Sequence, residues 1–456
     1  MSKTTLHGDA DSLLSLDASE ALVPALTVLW SRSEPARVGE VVLVDRPGTL
    51  GREGGLPLVR QRPGRNARTG PLSAERLSRE QLRLTPRGSQ IEVDNVGRRG
   101  LQVNGQAHTS ARVSAGDVLE LERELLLLVE LRPRALPPAP CDHAFGEPDA
   151  DGVVGESVAA WELRRRLAFV GARVGHVLLL GASGSGKELA ARAVHWLSGR
   201  HGPLVARNAA TFPETLLDAE LFGNRADYPN PGMPARAGAV GEADGGTLFL
   251  DEIGEVSHAM QAHLLRVLDA GEYQRLGDAG PRRADLRAVG ATNRALDALK
   301  HDFLARFDHR IQLPDLAARR ADIPLLAQHF LRDMAASDPS LFADRPRLHP
   351  RFVSALVRYR FTTHARELRQ LLWRAAAASS GKYLDLPLDL APPPPPKAER
   401  DPGSLTKDEI LAAYRLFDGV QARVPAHLGL RDRFQLGRLE KKLGITAADK
   451  AAAVKG

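Results

Sequence analysis

Eight residues constrain this chain more than any other stretch. GASGSGKE, Gly181 to Glu188, follows the apolar run HVLLL and opens the helix-like segment ELAARAVHWL. A strand, a glycine-rich turn and a helix in that order make a phosphate cradle. Gly181, Gly184 and Gly186 let backbone N–H groups converge on an anion at the positive end of a helix dipole. Ala182, Ser183 and Ser185 fill the positions between, and Lys187 reaches the β- and γ-phosphates of a nucleotide. The Ser or Thr that usually follows the lysine is Glu188, so taken alone the motif falls short of the strict pattern.

A second segment supplies what the first lacks. GGTLFLDE, Gly245 to Glu252, is an apolar strand ending in two carboxylates. At a strand's C-terminal edge Asp251 would hold the Mg²⁺ shell through water, and Glu252 would polarise the attacking water. Such a pair in isolation is as readily a solvated strand end; behind a phosphate loop it reads as ATP chemistry. LRAVGATNR then gives a third strand, ending in Thr292 and Asn293, polar groups placed to sense the γ-phosphate.

The 456 residues exceed one hydrophobic core, so about three domains are expected. Cys141 is the single cysteine, which excludes an internal disulfide framework and suits a reducing cytosol. No basic-then-apolar leader pattern opens the chain. No apolar run approaches the ~20 residues that cross a bilayer, so a cytoplasmic protein with no membrane partner is expected. The net charge of +6 is compatible with nucleic acid and equally with an Arg-rich composition.

Proline marks the joints. RPRALPPAP (132–140) and APPPPPKAERDPG (391–403) hold extended backbone and interrupt both helix and sheet. Before the first joint, ALTVLW, EVVLVD, LRLTP, SQIEVDN, GLQVNGQ and DVLELERELLLLVEL read as strands of an all-β sandwich, with a tight hairpin at Asn104-Gly105. Between the joints, strands alternate with amphipathic helices, the pattern of a parallel α/β sheet, and the last hundred residues there are mainly helical. Beyond the second joint only helical periodicity remains.

The middle region resembles the AAA+ domain of sigma-54-dependent transcription activators. The segments that carry the resemblance are GASGSGKELAARAVH, PETLLDAELFG, EADGGTLFLDEIGE, QAHLLRVLDAGEYQRLG, LRAVGATNR, ARRADIPLLAQHFL and ARELRQLLWRA, between Gly152 and Ala375. The resemblance implies a ring, a hexamer in form, with Mg-ATP at the subunit interfaces and sigma-54 RNA polymerase as partner. It assigns Lys187 as the Walker A lysine and Asp251 and Glu252 as the Walker B pair. Asn208 restrains Glu252 between turnovers, Asn293 is sensor I and Arg366 is sensor II. Glutamate after the lysine is common in this family, which removes the objection at Glu188.

Three segments depart from the family. Its two trans-acting arginines lie in FRxDLxxRL; here FLARFDHRI keeps the second as Arg310 and has Leu304 for the first. Arg306 is either a substitute or part of a solvated helix face. WPGNVREL has become FTTHAREL. The family's GAFTGA loop, which contacts sigma-54, is replaced by NRADYPNPGMPARAG, rich in Pro and Gly, with Tyr228 and Met233 its large apolar groups.

The sandwich resembles a forkhead-associated (FHA) domain, a reader of phosphothreonine peptides. TLGRE supplies Arg52, LSREQ supplies Ser78 and Arg79, and DNVGRRGLQVNGQ matches a further family stretch, with Gln81 and Arg99 standing where the family has His and Asn. An Arg and a Ser hydroxyl on adjacent loops can bind a phosphate dianion by charge-assisted hydrogen bonds. The insertion VRQRPGRNARTGPLSAERLS reads as added positive charge beside that site, or as a loop. The tail resembles a Fis-type helix-turn-helix, placing Arg431, Arg433, Gln435, Arg438, Lys441 and Lys442 on or near a DNA recognition helix.

The expected organisation is therefore multidomain: an extension (1–21), an FHA-like sandwich (22–132), a linker (133–150), an AAA+ α/β subdomain (151–318), a helical lid (319–390), a Pro-rich linker (391–403), an all-α helix-turn-helix (404–448) and a tail (449–456). The expected function is that of an ATP-hydrolysing transcriptional regulator with DNA and a phosphoprotein as partners. The alternative is a nucleotide-gated binder of both that does not activate sigma-54 polymerase.

Overall fold

The computed structural model describes residues 22–139, 143–211, 214–339, 347–379, 383–384, 405–416, 428, 430, 433–446 and 449–450. The extension 1–21, Cys141 and the Pro-rich segment 391–403 lie outside them. The chain divides into two compact units, one up to Pro387 and one from Leu388 onward.

The first unit begins with a two-sheet sandwich. Its strands are β1 (Val23–Ser31), β2 (Val41–Leu43), β3 (Gly48–Leu50), β4 (Leu58–Arg62), β5 (Arg65–Gly70), β6 (Leu82–Arg87), β7 (Gln90–Asn95), β8 (Leu101–Val103), β9 (Gln106–His108), β10 (Ser110–Val113), β11 (Val118–Leu121) and β12 (Leu125–Arg132). One sheet runs β5-β4-β2-β1-β12-β11-β8-β9 and the other β10-β7-β6-β3. Leu82, Leu84, Ile91 and Val93 alternate into the core from one sheet and meet Leu26, Val28, Leu127 and Val129 from the other. Asn104 and Gly105 both have positive φ, as a tight two-residue hairpin requires.

Two expectations are corrected here. DVLELERELLLLVEL reads as one run but is a hairpin, because Glu122 and Arg123 turn with positive φ. The insertion after Leu58 is not a free loop. Its first half forms the β4–β5 hairpin at the sheet edge, and Leu72, Ala74 and Leu77 of its second half fill the sandwich core.

The run Leu125–Val129 is apolar at every position because both faces of β12 are covered. One face looks into the sandwich, and the other packs with β1 against the helix Pro350–Arg358. A cleft of about 890 Å³ opens at this junction, bordered by Trp30, Val38, Leu331 and Leu348.

The α/β subdomain contributes β13 (Val177–Leu180), β14 (Leu204–Asn208), β15 (Thr247–Asp251), the short pair β16 (Glu272–Tyr273) and β17 (Arg282–Arg283), β18 (Arg287–Thr292) and β19 (His309–Gln312). Its five-stranded sheet is wholly parallel in the order β14-β15-β18-β13-β19. The strands read as continuous apolar runs because helices cover both faces, giving two separate apolar layers. The helices Ile323–Ser337, Pro350–Arg358 and His364–Ala378 form the lid, where β20 (Arg347–Leu348) pairs with β21 (Tyr383–Leu384).

In the second unit the helices Lys407–Leu416 and Arg433–Lys442 pack through Ile410, Ala413, Tyr414, Leu436 and Leu439. Buried Tyr414 donates to Glu440 at 2.6 Å, and Lys450 pairs with the same carboxylate. Among the described residues no helix is long and apolar enough to cross a membrane.

Candidate functional site

In a parallel sheet the C-terminal strand ends share one edge, and ligands bind there. β13 delivers the P-loop to that edge, β15 delivers Asp251 and Glu252, and β18 ends between them. Gly181 N donates to Thr292 O at 3.2 Å, tying loop to central strand.

The glycines are needed for local reasons. Gly184 has φ +77°, and a Cβ there would lie 2.2 Å from the Thr363 carbonyl of the lid. Gly186, φ +100°, caps the helix Lys187–Leu197 in the left-handed region. Lys187 is buried and folds back on the loop, donating to Gly181 O at 3.1 Å and Ala182 O at 3.4 Å. Ser185 Oγ is buried and has no hydrogen-bond partner among the described residues. A lysine on its own loop's carbonyls and an orphaned hydroxyl are what a phosphate would re-engage.

Asp251 Oδ1 accepts from Glu252 N at 2.9 Å, and Glu252 sits at φ +53°, a left-handed conformation that turns the chain sharply after β15. Asn208 lies in register beside Asp251. Its Oδ1 accepts from Ala210 N at 2.9 Å rather than meeting Glu252. Asn293 is exposed directly after β18. Glu188 is turned outward, 72% exposed, toward Arg192 one turn along. Among the described residues no group of three or more His, Cys, Asp or Glu converges as a metal cage. The Asp251 and Glu252 carboxylates at the strand end suit Mg²⁺, which is commonly held by one or two carboxylates together with phosphate and water.

The lid closes over the loop. Arg366 Nη1 donates to Ser183 Oγ at 3.2 Å, and Ala365 N donates to Gly184 O at 3.2 Å. The turn before it lacks Trp-Pro-Gly but is held otherwise. The Glu367 carboxylate accepts from Thr362 N at 2.6 Å, Thr363 N at 3.1 Å and Tyr359 OH at 2.7 Å. These bonds hold Glu367 below the ordinary carboxylate range against the opposing effect of burial, which is the largest single influence. His364 takes the positive-φ position, and its Nδ1 accepts from Leu316 N.

The two arginines of the FLARFDHRI stretch separate cleanly. Arg306 is ion-paired with Asp269. Arg310 is exposed on β19, with one long contact to Leu304 O at 3.4 Å. Motif reading missed the ion pair of Arg294 with Glu255 and the buried Ser157–Asp322 bond at 2.6 Å. The second was traceable in the segment ARRADIP, but only the fold shows that it reaches back across 165 residues.

The sandwich loops also converge. Gly51 tolerates no Cβ, which would fall 2.2 Å from Arg79 O. Arg52 N donates to Ser78 O at 3.2 Å, and Arg52 Nε to Leu77 O at 2.8 Å. Ser78 Oγ accepts from Arg98 N at 2.9 Å, Arg79 pairs with Glu53 and Arg99 with Glu122. Gln81 is fully buried, donating to Asn95 Oδ1 and Arg99 O, so it braces these loops from beneath. In the second unit, Arg438, Lys441 and Lys442 are exposed at i, i+3 and i+4 of one helix, opposite buried Leu436 and Leu439. Arg431 lies outside the described residues, and Arg433 and Gln435 are described only as helix backbone.

A parallel sheet with a P-loop, a paired-carboxylate strand end and a helical lid bearing an arginine defines a P-loop ATPase of the AAA+ class. Residues 153–316 match the family profile "Sigma-54 interaction domain", and residues 317–399 match "AAA+ ATPase lid domain". The chain is 36% identical over 310 residues to the transcriptional regulatory protein ZraR of Escherichia coli K12, covering 64% of this chain and 68% of that one. It is 33% identical over 403 residues to the Nif-specific regulatory protein of Bradyrhizobium diazoefficiens, covering 75% and 68%. A solved structure of NtrX from Brucella abortus in complex with ATP is also similar, with 28% identity, a TM-score of 0.48 and coverage of 64% and 69%. The chain belongs to the family of sigma-54-dependent transcriptional regulators.

Proposed function

We propose that this chain is an ATP-hydrolysing transcriptional regulator that works as a ring on DNA, with the sandwich reading a phosphothreonine-containing protein. The observation that carries it is the shared edge on which the P-loop, Asp251, Glu252 and Asn293 meet under Arg366. Lys187 leaves its own loop's carbonyls to hold the β- and γ-phosphates, and the lid arginine follows the γ-phosphate through the cycle. Asp251 would hold Mg²⁺ through water, and that ion would neutralise charge developing on the phosphoryl oxygens. Glu252 orients the attacking water, and Asn208 checks it between turnovers by releasing Ala210 N. Arg310, exposed and lightly held, reaches into a neighbouring subunit. Support for DNA binding is the exposed Arg438–Lys441–Lys442 face, and for the sandwich site it is the convergence of Arg52, Ser78 and Arg99. Steady-state ATPase with and without DNA, run beside open-complex assays with sigma-54 polymerase, tests the whole reading. An ATPase indifferent to every DNA tested would remove the tail from it.

A specific observation favours the second reading, in which sigma-54 polymerase is not activated. The segment replacing GAFTGA is folded down. Asn224 is buried, and its Nδ2 donates to the carbonyls of Arg225, Tyr228 and Pro234. The Tyr228 ring packs on Gly277, where a Cβ would come within 2.5 Å of it. Leu276 N donates to Gly223 O and Arg225 N to Leu276 O, so the loop and the β16–β17 connection are laced together. The expected outcome is an ATPase that binds DNA yet opens no sigma-54 promoter. Robust ATP-dependent opening, lost on deleting Tyr228 to Met233, would restore the ordinary activator reading.

A further inference from the structure

The ATP pocket is shared between two subdomains, and its geometry depends on the angle at their hinge. That hinge is a buried polar cluster. Asp322, at the start of the lid helix Ile323–Ser337, accepts from Glu156 N and Ser157 N at 2.8 Å each and from Ser157 Oγ at 2.6 Å. Ser157 also caps the first helix of the α/β subdomain, Val158–Gly171, by accepting from Ala160 N. Residues 156 and 157 therefore form a joint that ties the start of the α/β subdomain to the start of the lid helix.

The sandwich reaches into this joint. Arg132, 1% exposed on β12, donates to Glu156 O at 2.8 Å, and Gln61 on β4 holds its Nε at 2.9 Å. Arg62, on the same edge hairpin, pairs with the Glu156 carboxylate at 3.6 Å and donates to His143 O. Its guanidinium also lies over Trp161 of the Val158–Gly171 helix. At the opposite end the sandwich grips the lid. Trp30 Nε1 donates to Leu348 O at 2.8 Å, and Arg320 of the lid donates to Gly116 O at 3.2 Å. The sandwich thus touches the hinge, the α/β subdomain and the lid together.

We propose that Arg62 and Arg132 are positioning residues for ATP binding: through Glu156 they fix the hinge angle at which the lid presents Arg366 to the P-loop. Neither touches nucleotide. They act by keeping the lid in the arrangement where Arg366 meets Ser183 and Ala365 meets Gly184, so that bound ATP does not first have to order it. The inserted β4–β5 hairpin exists, on this view, to carry Arg62 and Gln61 to the joint. The proposal rests on Arg366 acting on nucleotide from the lid.

The test uses the full chain and a fluorescent ATP analogue. Arg62→Ala and the double variant Arg62→Ala/Arg132→Met should weaken nucleotide binding, by about tenfold for the double variant if the competent lid falls to a tenth of the population. The kcat at saturating ATP should stay within about twofold, and Arg62→Lys should recover part of the loss. Hydrogen exchange in Ile323–Ser337 should rise in the double variant. Leu84→Ala, in the sandwich core and away from the hinge, serves as the control for general loosening. Unchanged affinity in Arg62→Ala with a folded sandwich overturns the proposal, as does an equal loss in Leu84→Ala. Arg366→Ala is run in parallel. If it too leaves binding and turnover unchanged, the lid arginine's role falls, and the hinge proposal falls with it. An effect of Arg366→Ala alone leaves that role standing and sinks only the hinge proposal.

Discussion

The P-loop and the Arg52–Ser78 cluster of the sandwich both gather donors at a loop apex, but by opposite means. The P-loop uses backbone, made possible by Gly184 and Gly186 at positive φ, and leaves Ser185 Oγ without a partner among the described residues. The sandwich cluster uses side chains, and those side chains already have internal partners: Arg52 on Leu77 O, Ser78 under Arg98 N, Arg79 on Glu53, Arg99 on Glu122. A backbone site is set by where glycine permits the turn, so its N–H donors stand ready without giving up a side-chain contact, and Lys187 adds the charge that holds the phosphates. A side-chain site must give up existing contacts to its ligand, so its affinity depends on how weak those contacts are. The ion pair of Arg79 is largely exposed and costs little to break.

The largest contrast should come from the P-loop side. Lys187→Ala should abolish nucleotide binding, whereas Glu252→Gln should bind ATP normally and stop turning it over. The lysine contacts ground-state phosphates; the glutamate acts on the water. Wild-type turnover in the Glu252→Gln protein would remove that residue from the mechanism. Neither change should alter peptide binding by the sandwich.

Arg310→Ala should lower turnover by roughly a thousandfold, the scale at which trans-acting arginines work, with little change in ATP affinity of the isolated subunit. Arg306→Ala should cost much less, because Asp269 already holds that side chain. Reversal of this order would show that Arg306, not Arg310, crosses the interface.

A phosphothreonine peptide should bind the sandwich, and Arg52→Ala or Ser78→Ala should each weaken it by about tenfold, the worth of one charge-assisted hydrogen bond. Isothermal titration against a peptide library reads this directly. A library without a binder would leave the cluster as internal bracing, and the comparison with the P-loop would end there.

The smallest effect is one of pH. His176, just before β13, uses both ring nitrogens: Nδ1 accepts from Ala288 N at 3.0 Å and Nε2 faces Leu268 O at 3.0 Å. Only the neutral ring can do both. Burial pushes its pKa below the ordinary value of 6.5, against the smaller opposing pull of the Leu268 carbonyl. Its contribution is therefore intact above the unfolded pKa and is lost as pH falls below it toward the folded one, by up to about 1.4 kcal/mol per pH unit. Denaturant unfolding of wild type and His176→Gln at pH 7.5 and 5.5 checks it; equal losses in both would refute the assignment.

Much of the ATPase was legible in the sequence, and the reason is local. Gly184, Gly186, Lys187, Asp251 and Asn293 occupy a turn or strand end whose geometry follows from neighbours a few residues away. The β11–β12 hairpin was missed because Glu122 and Arg123 lack the Gly or Asn that usually marks a left-handed turn. The loop reading of the insertion fails because nothing local marks the partners of Gln61 and Arg62, which lie at the hinge.

Sequence by itself determined the phosphate cradle, the carboxylate pair, the order of α/β elements and the family, because short-range backbone chemistry and ordered motifs carry them. Only the tertiary structure decided that Arg306 is tied to Asp269 while Arg310 is left exposed, and that Glu367 replaces a Trp-Pro-Gly turn by hydrogen bonding. The same holds for the loop in place of GAFTGA, laced to Leu276, and for the sandwich arginines that end on Glu156. Most of these depend on groups brought together from distant parts of the chain, and even the local Glu367 bonds depend on the backbone shape that the lid imposes on Tyr359 to Glu367.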